Sequence, residues 1–144
     1  MEILEMTLSD LEKIRDKLQN DYDEFWNENI LRKELEDENS KYIVIKEKDK
    51  ILGFAGVWIS PVDAQITNIV VKKDSRKNGI GSLLLERLIE IAKNAKQEVL
   101  RLEVNENNKP AINLYNKYGF EQVGLRKKYY NGRDNAVLMD LKLI

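Results

Sequence analysis

Apolar residues near the start of the chain change their spacing from a strand pattern to a helix pattern. The run Met1–Met6 predicts a short first strand. Ser9 is a candidate N-cap for a helix with apolar residues at helical spacing, namely Leu11, Ile14 and Leu18. A second helix is expected to begin near Asn27 and to bury a further apolar set, Ile30, Leu31 and Leu35.

Apolar runs in the middle of the chain have the length and composition of strands. They are Tyr42–Lys46, Ile51–Ile59 and Gln65–Val71. Only short connecting segments, Glu47–Lys50 and Ser60–Val62, separate each run from the next. The sequence therefore predicts a meander.

A polar segment, Lys72–Gly79, precedes the next helical pattern. Apolar residues then recur at helical spacing and predict a strongly amphipathic helix; they are Leu83, Leu84, Leu88, Ile91 and Ala92. Val99–Val104 is the next predicted strand. Asn108 can cap a further helix, with Pro110 tolerated in its first turn and Gly119 at its end.

The end of the chain predicts a hairpin. Phe120–Tyr130 and Arg133–Leu143 are strand-like and flank Asn131-Gly132, a two-residue turn signal. The order of elements is then β-α-α-β-β-β-α-β-α-β-β, with about seven strands and about four helices. The strand-helix-strand unit over Gln65–Val104 requires its two strands to lie parallel, or nearly so, in a mixed sheet. We expect an α/β fold in a single domain over residues 1–144, because no repeat or linker interrupts the pattern.

Composition narrows the chemistry that the chain can perform. It has no Cys and no His, which excludes thiolate nucleophiles, disulfides, Ser-His-Asp arrangements and the usual zinc hydrolase sites. An enzyme built from this chain would work with Asp, Glu, Tyr, Lys, Ser, Thr and backbone amides, and we expect no metal. The formal net charge of −1 argues against nucleic-acid or anionic-membrane partners. The N-terminus lacks a signal-peptide pattern, so we expect a cytoplasmic protein.

The loop between the third meander strand and the amphipathic helix is a candidate anion site. It reads Arg76-Lys77-Asn78-Gly79-Ile80-Gly81-Ser82. Glycines permit a tight turn, and the first N–H groups of the following helix point outward with the positive end of the helix dipole behind them. Such a loop can bind a pyrophosphate, although glycines that only allow a helix to start are an equally good explanation of this segment alone.

This loop resembles the acetyl-CoA signature of the GNAT acetyltransferase superfamily, Arg76-x-x-Gly79-x-Gly81, and the order of elements fits that fold. Further segments resemble its N-terminal acetyltransferase branch: Thr67-Asn68-Ile69, Leu102-Glu103-Val104-Asn105, Asn108-x-x-Ala111-Ile112-x-Leu114-Tyr115, Tyr118-Gly119-Phe120 and Tyr129-Tyr130. The nearest likeness is to the RimI-type ribosomal-protein-alanine N-acetyltransferases and their archaeal relatives. The resemblance runs from the first strand to the end of the chain.

The resemblance implies acetyl-CoA as co-substrate and assigns its contacts. The backbone of Ile69, Val70 and Val71 would pair with the pantetheine arm. Loop amides would bind the pyrophosphate, from Lys77, Asn78, Gly79, Ile80, Gly81 and Ser82. Basic side chains would meet the remaining phosphate charge, from among Lys72, Lys73, Arg76 and Lys77, and Asn108 would touch the reactive end.

The resemblance also assigns catalysis and acceptor binding. Glu103 would be the general base, directly or through water, and Tyr115 the acid facing the departing sulfur. Tyr129 and Tyr130 would hold the acceptor, a protein N-terminus of the S18-type alanine kind from a small-subunit ribosomal protein. Two positions depart from the branch: Gln65, where many relatives carry His, and Asn135, where the usual pattern is a second acid. We expect a monomer or a weak homodimer that acts without a partner subunit.

Reference pKa values test this chemistry. A free α-amine near pKa ~8 and a free glutamic acid near ~4.3 differ by about 3.5 units, or ~5 kcal/mol, so positioning of the amine must supply much of the rate. A tyrosine near ~10 is a weaker acid than a thiol near ~8.5, so we expect Tyr115 mainly to hydrogen-bond the developing thiolate.

Each of these residues also has a purely structural explanation. Glu103 lies on the strand face opposite three apolar residues and would be a solvent-facing carboxylate. Tyr115 has the spacing of a core residue, Asn108 that of a helix cap, and Tyr129-Tyr130 the composition of an ordinary strand. The run Arg126-Lys127-Lys128 is typical of a solvated charge cluster.

Other functions stay open from the sequence. One is a GNAT enzyme that acetylates a small amine or a lysine side chain. Another is a non-catalytic acyl-CoA-binding module, in which Glu103→Gln and Tyr115→Phe would change nothing measurable.

Overall fold

The computed structural model describes residues 1–22, 27–130 and 132–144. In this part of the chain a mixed sheet has strands β1 Glu2–Glu5, β2 Ser40–Glu47, β3 Lys50–Ile59, β4 Ala64–Val71, β5 Val99–Asn105, β6 Glu121–Tyr130 and β7 Asp134–Lys142. The α-helices are α1 Leu8–Ile14, α2 Glu28–Glu36, α3 Ile80–Asn94 and α4 Lys109–Lys117. The predicted order of elements is confirmed. Within these ranges, none of the helices is both long and apolar enough to cross a bilayer.

The sheet has the strand order β1-β2-β3-β4-β5-β7-β6. Strands β2 to β4 form the predicted meander, and β1 pairs with β2; all of these pairings are antiparallel. β4 and β5 are parallel, as the strand-helix-strand unit requires, and they pair at Ala64 with Leu100 and at Gln65 with Arg101. Beyond those pairs the two strands separate. The rest of β4, residues 66–71, therefore has no paired strand on its β5 side in the described part of the chain.

Apolar side chains fill both faces of the sheet. On one face α3 and α4 cover a core that includes Leu84, Leu88 and Leu100, all fully buried. On the other face α1 and α2 cover a second core with Leu11 and Phe54. Burial of one such leucine contributes about 1.5–3 kcal/mol, so these two cores fix the helices against the sheet.

The first helix begins two residues earlier than predicted. Thr7, not Ser9, is the N-cap: its side chain accepts from the N–H of Asp10 at 3.2 Å, and Asp10 accepts from the N–H of Thr7 at 2.9 Å. Asp10 is buried and lies 2.7 Å from Lys46 on β2. Burial alone would raise the pKa of Asp10, but hydrogen bonds from Lys46 and Thr7 hold it below the usual value. This ion pair, between residues far apart in sequence, fixes Asp10 where it can bond to Thr7, and so favours Thr7 over Ser9 as the N-cap.

The helical segment after α1 is irregular. The chain continues as a 3-10 turn, Arg15–Lys17, and a π turn, Leu18–Tyr22, so one regular helix through Leu18 was a wrong prediction. Leu18 is nevertheless buried, as its spacing predicted.

The second helix begins as predicted. Asn27 caps α2 by accepting from the N–H of Ile30 at 3.0 Å. Leu31 is buried and Leu35 partly buried, but the prediction that Ile30 is buried was wrong, since it is 40% exposed. Adjacent helical residues point about 100° apart, so Leu31 and Ile30 cannot both face the sheet squarely.

The last hairpin is present, with a longer connection than predicted. Tyr130 pairs with Asp134, which leaves three residues between the strands rather than two. Gly132 has a φ of 67°, a conformation that glycine adopts readily. Asn131, half of the predicted turn signal, lies outside the described residues.

Candidate active site

The loop after β4 ends in an uncapped helix N-terminus. Lys73–Ser75 forms a 3-10 turn, and Gly79, with a φ of 77°, precedes α3 without a side-chain cap. The first helical hydrogen bond runs from the N–H of Leu83 to the carbonyl of Gly79 at 3.1 Å. The N–H groups of residues 80–82 precede that bond and point out of the helix, with its positive dipole end behind them. This geometry suits an anion.

The basic side chains of the loop differ in their contacts. The guanidinium of Arg76 donates to the carbonyl of Val71 at 3.4 Å and to that of Tyr22 at 3.2 Å. Lys72 lies 3.6 Å from Asp74. Arg76 therefore fixes the loop against the end of β4 in this structure, and Lys72 is paired with an acid.

Gly81, in the first turn of α3, lies between Val71 at the end of β4 and Leu114 on α4, and we call the space beside it the crevice. A Cβ added to Gly81 would lie 3.7 Å from the Leu114 side chain and 3.9 Å from that of Val71, so Gly81 lies at the edge of this space. The unpaired side of β4 and the α3 N-terminus meet there. Asn108 caps α4 by accepting from the N–H of Ala111 at 3.3 Å, as predicted.

A bulge in β4 is held by Tyr42. The register between β3 and β4 shifts after Gly56, which leaves Thr67 as an extra residue. The Tyr42 hydroxyl lies 3.0 Å from the Thr67 hydroxyl and accepts from the amide of Asn68 at 3.1 Å. A Cβ at Gly56 would overlap the Tyr42 ring, so the glycine makes room for it. Tyr42 carries no motif of its own, and the sequence analysis assigned it only to a strand.

Glu103 points away from the core, as its strand position predicted. Leu102 and Val104 are buried on one face of β5, and Glu103 lies on the other. Its side chain is only 18% exposed, because the guanidinium of Arg126 lies 2.9 Å from Oε1. The interpretation of Glu103 as a solvent-facing carboxylate is therefore wrong, because its side chain is largely covered. Arg126 is 56% exposed, as a solvated charge run predicts, but it also pairs with Glu103.

Tyr130 affects the ionisation of Tyr115, and Glu103 affects that of Tyr130. Tyr115 packs against Phe120 with ring centroids 5.7 Å apart. Burial raises the pKa of Tyr115 to about 12, and the neighbouring Tyr130 adds to the effect. Burial also raises the pKa of Tyr130, with a further contribution from the Glu103 carboxylate. Tyr130 therefore helps to raise the pKa of Tyr115, and Glu103 helps to raise the pKa of Tyr130.

Tyr129 lies beside this group. Its ring meets that of Tyr130 edge-on, with centroids 5.0 Å apart, and it is half exposed. The guanidinium carbon of Arg126 lies 5.2 Å from the Tyr129 centroid, within cation–π range. Arg126 therefore contacts both the carboxylate and an exposed aromatic ring.

A bulge in β6 after Arg126 places Tyr129 and Tyr130. Arg126 pairs with Ala136 and Tyr130 with Asp134, so β6 has two more residues than β7 between those pairs. Asn135 holds the bulge: its side-chain oxygen accepts from the N–H of Lys128 at 2.9 Å. The carboxylate of Glu106 accepts from the backbone N–H of Asn135 at 2.8 Å and from its side-chain amide at 3.4 Å. An ionised acid at position 135 would keep the backbone N–H donor but lose the side-chain donor to Glu106, and it would place a second carboxylate beside Glu106.

A polar cavity of about 300 Å³ lies next to Glu103. Its charged and polar lining consists of Asp63, Gln65, Arg101, Glu103, Arg126 and Asp140. Arg101 is paired with Asp63 at 3.1 Å and with Asp140 at 3.5 Å. Gln65, the other departure from the family pattern, lines this cavity, on the sheet face opposite the α3–α4 core.

Comparison with known proteins identifies the family. The model of the GNAT family of acetyltransferases matches residues 11–120. The chain belongs to the GNAT acetyltransferase family. A Bacillus subtilis protein, to which [ribosomal protein bS18]-alanine N-acetyltransferase activity is ascribed, is 34% identical to this GNAT chain over 136 residues, 92% of this chain and 90% of its own length.

Solved structures agree with the family assignment. The ribosomal-protein-S18-alanine N-acetyltransferase from Escherichia coli superposes on this GNAT chain with a TM-score of 0.89 at 29% identity, covering 99% of this chain and 93% of its own. A Bacillus anthracis structure described as a streptothricin acetyltransferase, in complex with acetyl coenzyme A, matches with a TM-score of 0.68 at 25% identity, over 77% of this chain and 66% of its own.

The site has the features that the co-substrate of GNAT acetyltransferases needs. Acetyl-CoA has a thin arm and a doubly charged pyrophosphate. The unpaired side of β4, the crevice beside Gly81 and the uncapped N-terminus of α3 match these two parts.

Proposed function

We propose that this GNAT enzyme transfers an acetyl group from acetyl-CoA to the N-terminal α-amine of a protein, with the alanine N-terminus of ribosomal protein bS18 as the acceptor. The observation that carries the proposal is the separation of β4 from β5 beside the uncapped N-terminus of α3, with Glu103 of β5 lining the polar cavity. The relatives named above support the acceptor class. The cytoplasm is the compartment that we propose for the reaction.

The chain would bind acetyl-CoA mainly through its backbone. Ile69, Val70 and Val71 lie on the unpaired side of β4 and would pair with the pantetheine arm. The pyrophosphate would lie against the loop and first helical turn, at Arg76, Lys77, Asn78, Gly79, Ile80, Gly81 and Ser82. Asn108, at the start of α4, would contact the arm near its reactive end.

Acetyl-CoA supplies an acetyl thioester at the end of the crevice. Glu103 would accept a proton from the acceptor's ammonium, directly or through water, and hold the amine in place. The Tyr115 hydroxyl would donate a hydrogen bond to the sulfur. With its pKa raised to about 12, Tyr115 is a weaker acid than a thiol near ~8.5 by about 3.5 units, so it would keep its proton and stabilise the thiolate as the amine attacks and the C–S bond breaks. The thiolate would then take up a proton, equivalent to the one that the nitrogen loses on becoming an amide.

The acceptor would approach from the polar cavity, on the face of the sheet opposite α3. Tyr129 and Tyr130 would form one wall of its path. Gln65, on the neighbouring strand β4, lines the same cavity as Glu103. The acceptor and the co-substrate then reach the reacting atoms from opposite faces. This separation allows both to be bound at once.

Acetyl transfer from labelled acetyl-CoA to a panel of acceptors tests the proposal. The panel contains peptides with free N-termini beginning with Ala, Ser or Met, the same peptides with blocked N-termini and an internal Lys, and polyamines. We expect transfer to the free N-termini, with Ala preferred. Glu103→Gln should lower kcat by about 10²–10⁴ while acetyl-CoA still binds; Glu98→Gln, a change at an exposed carboxylate distant from the site, is the matched control.

Other outcomes would contradict the proposal. Transfer only to blocked peptides or polyamines would assign the enzyme to lysine or small-amine acetylation. Acetyl-CoA binding with no transfer, unchanged by Glu103→Gln, would indicate a binding module.

A further inference from the structure

The side chain of Arg126 connects the carboxylate of Glu103 with the ring of Tyr129. A terminal nitrogen of its guanidinium lies 2.9 Å from Glu103 Oε1, and its central carbon lies 5.2 Å from the Tyr129 centroid. The Arg126 side chain is 56% exposed and that of Glu103 is 18% exposed. The guanidinium of Arg126 is therefore already bound to Glu103, the carboxylate that receives the incoming amine in the proposed function.

Building on the proposed function, we propose that Arg126 is a competing cation, which binds Glu103 in the free enzyme and leaves it when the acceptor's α-ammonium arrives. Guanidinium and ammonium are both cations that donate N–H groups to a carboxylate. Both Glu103 and Arg126 line the polar cavity, so the exchange takes place where the acceptor enters. The contribution of Glu103 to the free energy of acceptor binding is then the difference between two ion pairs, Glu103 with the ammonium and Glu103 with Arg126.

The geometry permits this exchange without a movement of the strand. The backbone of Arg126 is paired with Ala136, so only its side chain needs to move. More than half of that side chain is exposed, and the ring of Tyr129 already lies beneath the guanidinium. Water and the Tyr129 ring together provide the displaced cation with a second favourable position.

Arg126 acts on binding rather than on the proton transfer. A guanidinium has donors but no acceptor, so Arg126 cannot take the proton of the amine. Its removal should therefore change the KM for the acceptor and leave kcat in place. A residue that only positioned Glu103 would instead lower kcat when removed.

Three variants test the competition. Arg126→Gln removes the cation, Arg126→Lys keeps it, and Lys127→Gln removes an equal charge from the adjacent exposed residue. We expect Arg126→Gln to lower the acceptor KM by about three- to fivefold, the range typical of a partly exposed ion pair, with kcat and the acetyl-CoA KM unchanged. Arg126→Lys and Lys127→Gln should behave like the wild type. An unchanged or higher acceptor KM in Arg126→Gln, or a lower kcat, would overturn the proposal.

A binding measurement separates this proposal from the proposed function. In the enzyme labelled with ¹⁵N-arginine, the Nε–Hε resonance of Arg126 should shift on addition of L-alaninamide, which carries an α-ammonium. N-acetyl-L-alaninamide, which lacks the charge, should leave it unmoved, and Glu103→Gln should weaken the response. If no peptide with a free N-terminus is acetylated, the proposed function fails. The shift of the Arg126 resonance then decides by itself whether an α-ammonium displaces Arg126 from Glu103. A resonance that L-alaninamide does not move would refute the competition.

Discussion

At the scale of single residues, Tyr115 has a hydroxyl whose ionisation is strongly disfavoured. Because burial raises its pKa to about 12, the phenol stays protonated across the range in which acetyl transfer can be measured. We expect Tyr115→Phe to lower kcat by the same factor, of order 10-fold or more, at about pH 7 and about pH 9.5. Rate measurements at both pH values, with saturating co-substrate, check this.

Tyr118, a partly buried tyrosine whose hydroxyl makes an exposed hydrogen bond, provides the control for that experiment. The hydroxyl of Tyr118 donates to Glu86 at 2.8 Å on the outer surface of α3 and α4. Tyr118→Phe should leave kcat unchanged at both pH values. A loss of rate in Tyr115→Phe that disappears at the higher pH would mean that the phenol ionises during the reaction, against the burial described here.

Asn135 shows how one residue joins two elements. It accepts from Lys128 and donates to Glu106, so it connects the β6 bulge to the segment after β5. Asn135→Asp would place two carboxylates together and remove a donor. We expect a loss of about 1–2 kcal/mol in the free energy of unfolding and a higher acceptor KM, because Tyr129 and Tyr130 follow the bulge. Urea unfolding and kinetics of the variant test this, with Asn113→Asp on the exposed surface of α4 as the control.

At the scale of elements, α3 has a glycine, Gly81, in its first turn beside the crevice. Gly81 is helical, and an added Cβ would make only ordinary contacts with Leu114 and Val71. Gly81→Ala should raise the free energy of unfolding by about 0.5–1 kcal/mol through helix propensity. The same methyl group would enter the space of the co-substrate, so the KM for acetyl-CoA should rise about tenfold.

In the Gly81→Ala variant, the stability should rise while the affinity for acetyl-CoA falls. Thermal unfolding reports the helix, and acetyl-CoA titration reports the crevice. If the variant became more stable and bound acetyl-CoA as tightly as the wild type, the crevice beside Gly81 would not be the binding site.

Most of the elements were predictable because their signals are local. The amphipathic pattern of α3, the Asn108 cap and the polar loop after β4 each depend on residues a few positions apart. The first helix start was wrong for the opposite reason. Thr7 and Ser9 are both followed three residues later by an acid, and the choice between them depends on Lys46, which pairs with Asp10 only in the folded sheet.

The site was predictable only in part, for the same physical reason. Its residue types were indicated by the resemblance, and the side of β5 on which Glu103 lies follows from strand alternation. The contact of Arg126 with Glu103 was missed because it depends on how β5, β7 and β6 are paired in the folded sheet, which no local pattern gives. The two extra residues of the bulge, and the Asn135 contact that holds them, determine where Tyr129 and Tyr130 lie.

At the scale of the whole molecule, buried tyrosines connect stability to pH. Burial raises the pKa of Tyr22 and of Tyr115 to about 12 each, and that of Tyr42 well above its ordinary value. In the unfolded chain these groups lose their protons near pH ~10, so above that pH the folded state binds more protons than the unfolded state. Their contribution is fully present below about pH 10 and is lost as the pH rises towards about 12.

We therefore expect the free energy of unfolding to fall above about pH 10, with each buried tyrosine contributing up to ~1.4 kcal/mol per pH unit. Tyr22 donates to the carbonyl of Ile51 at 2.6 Å, so Tyr22→Phe costs stability at neutral pH. The same variant should show a shallower decline in the alkaline range. Urea unfolding at several pH values compares the two slopes; equal slopes would contradict the role of Tyr22.

The brief pairing of β4 with β5 makes the sheet two half-sheets that share only two residue pairs. On the unpaired side, the amide hydrogens of residues 66–71 have no protecting strand among the described residues, so they should exchange with solvent faster than those of β3. A co-substrate that pairs with that side would slow their exchange and couple the two halves into one cooperative unit. Hydrogen–deuterium exchange with and without acetyl-CoA would then detect the ligand as a structural part of the folded protein, and equal protection in both states would show that the halves are already coupled without it.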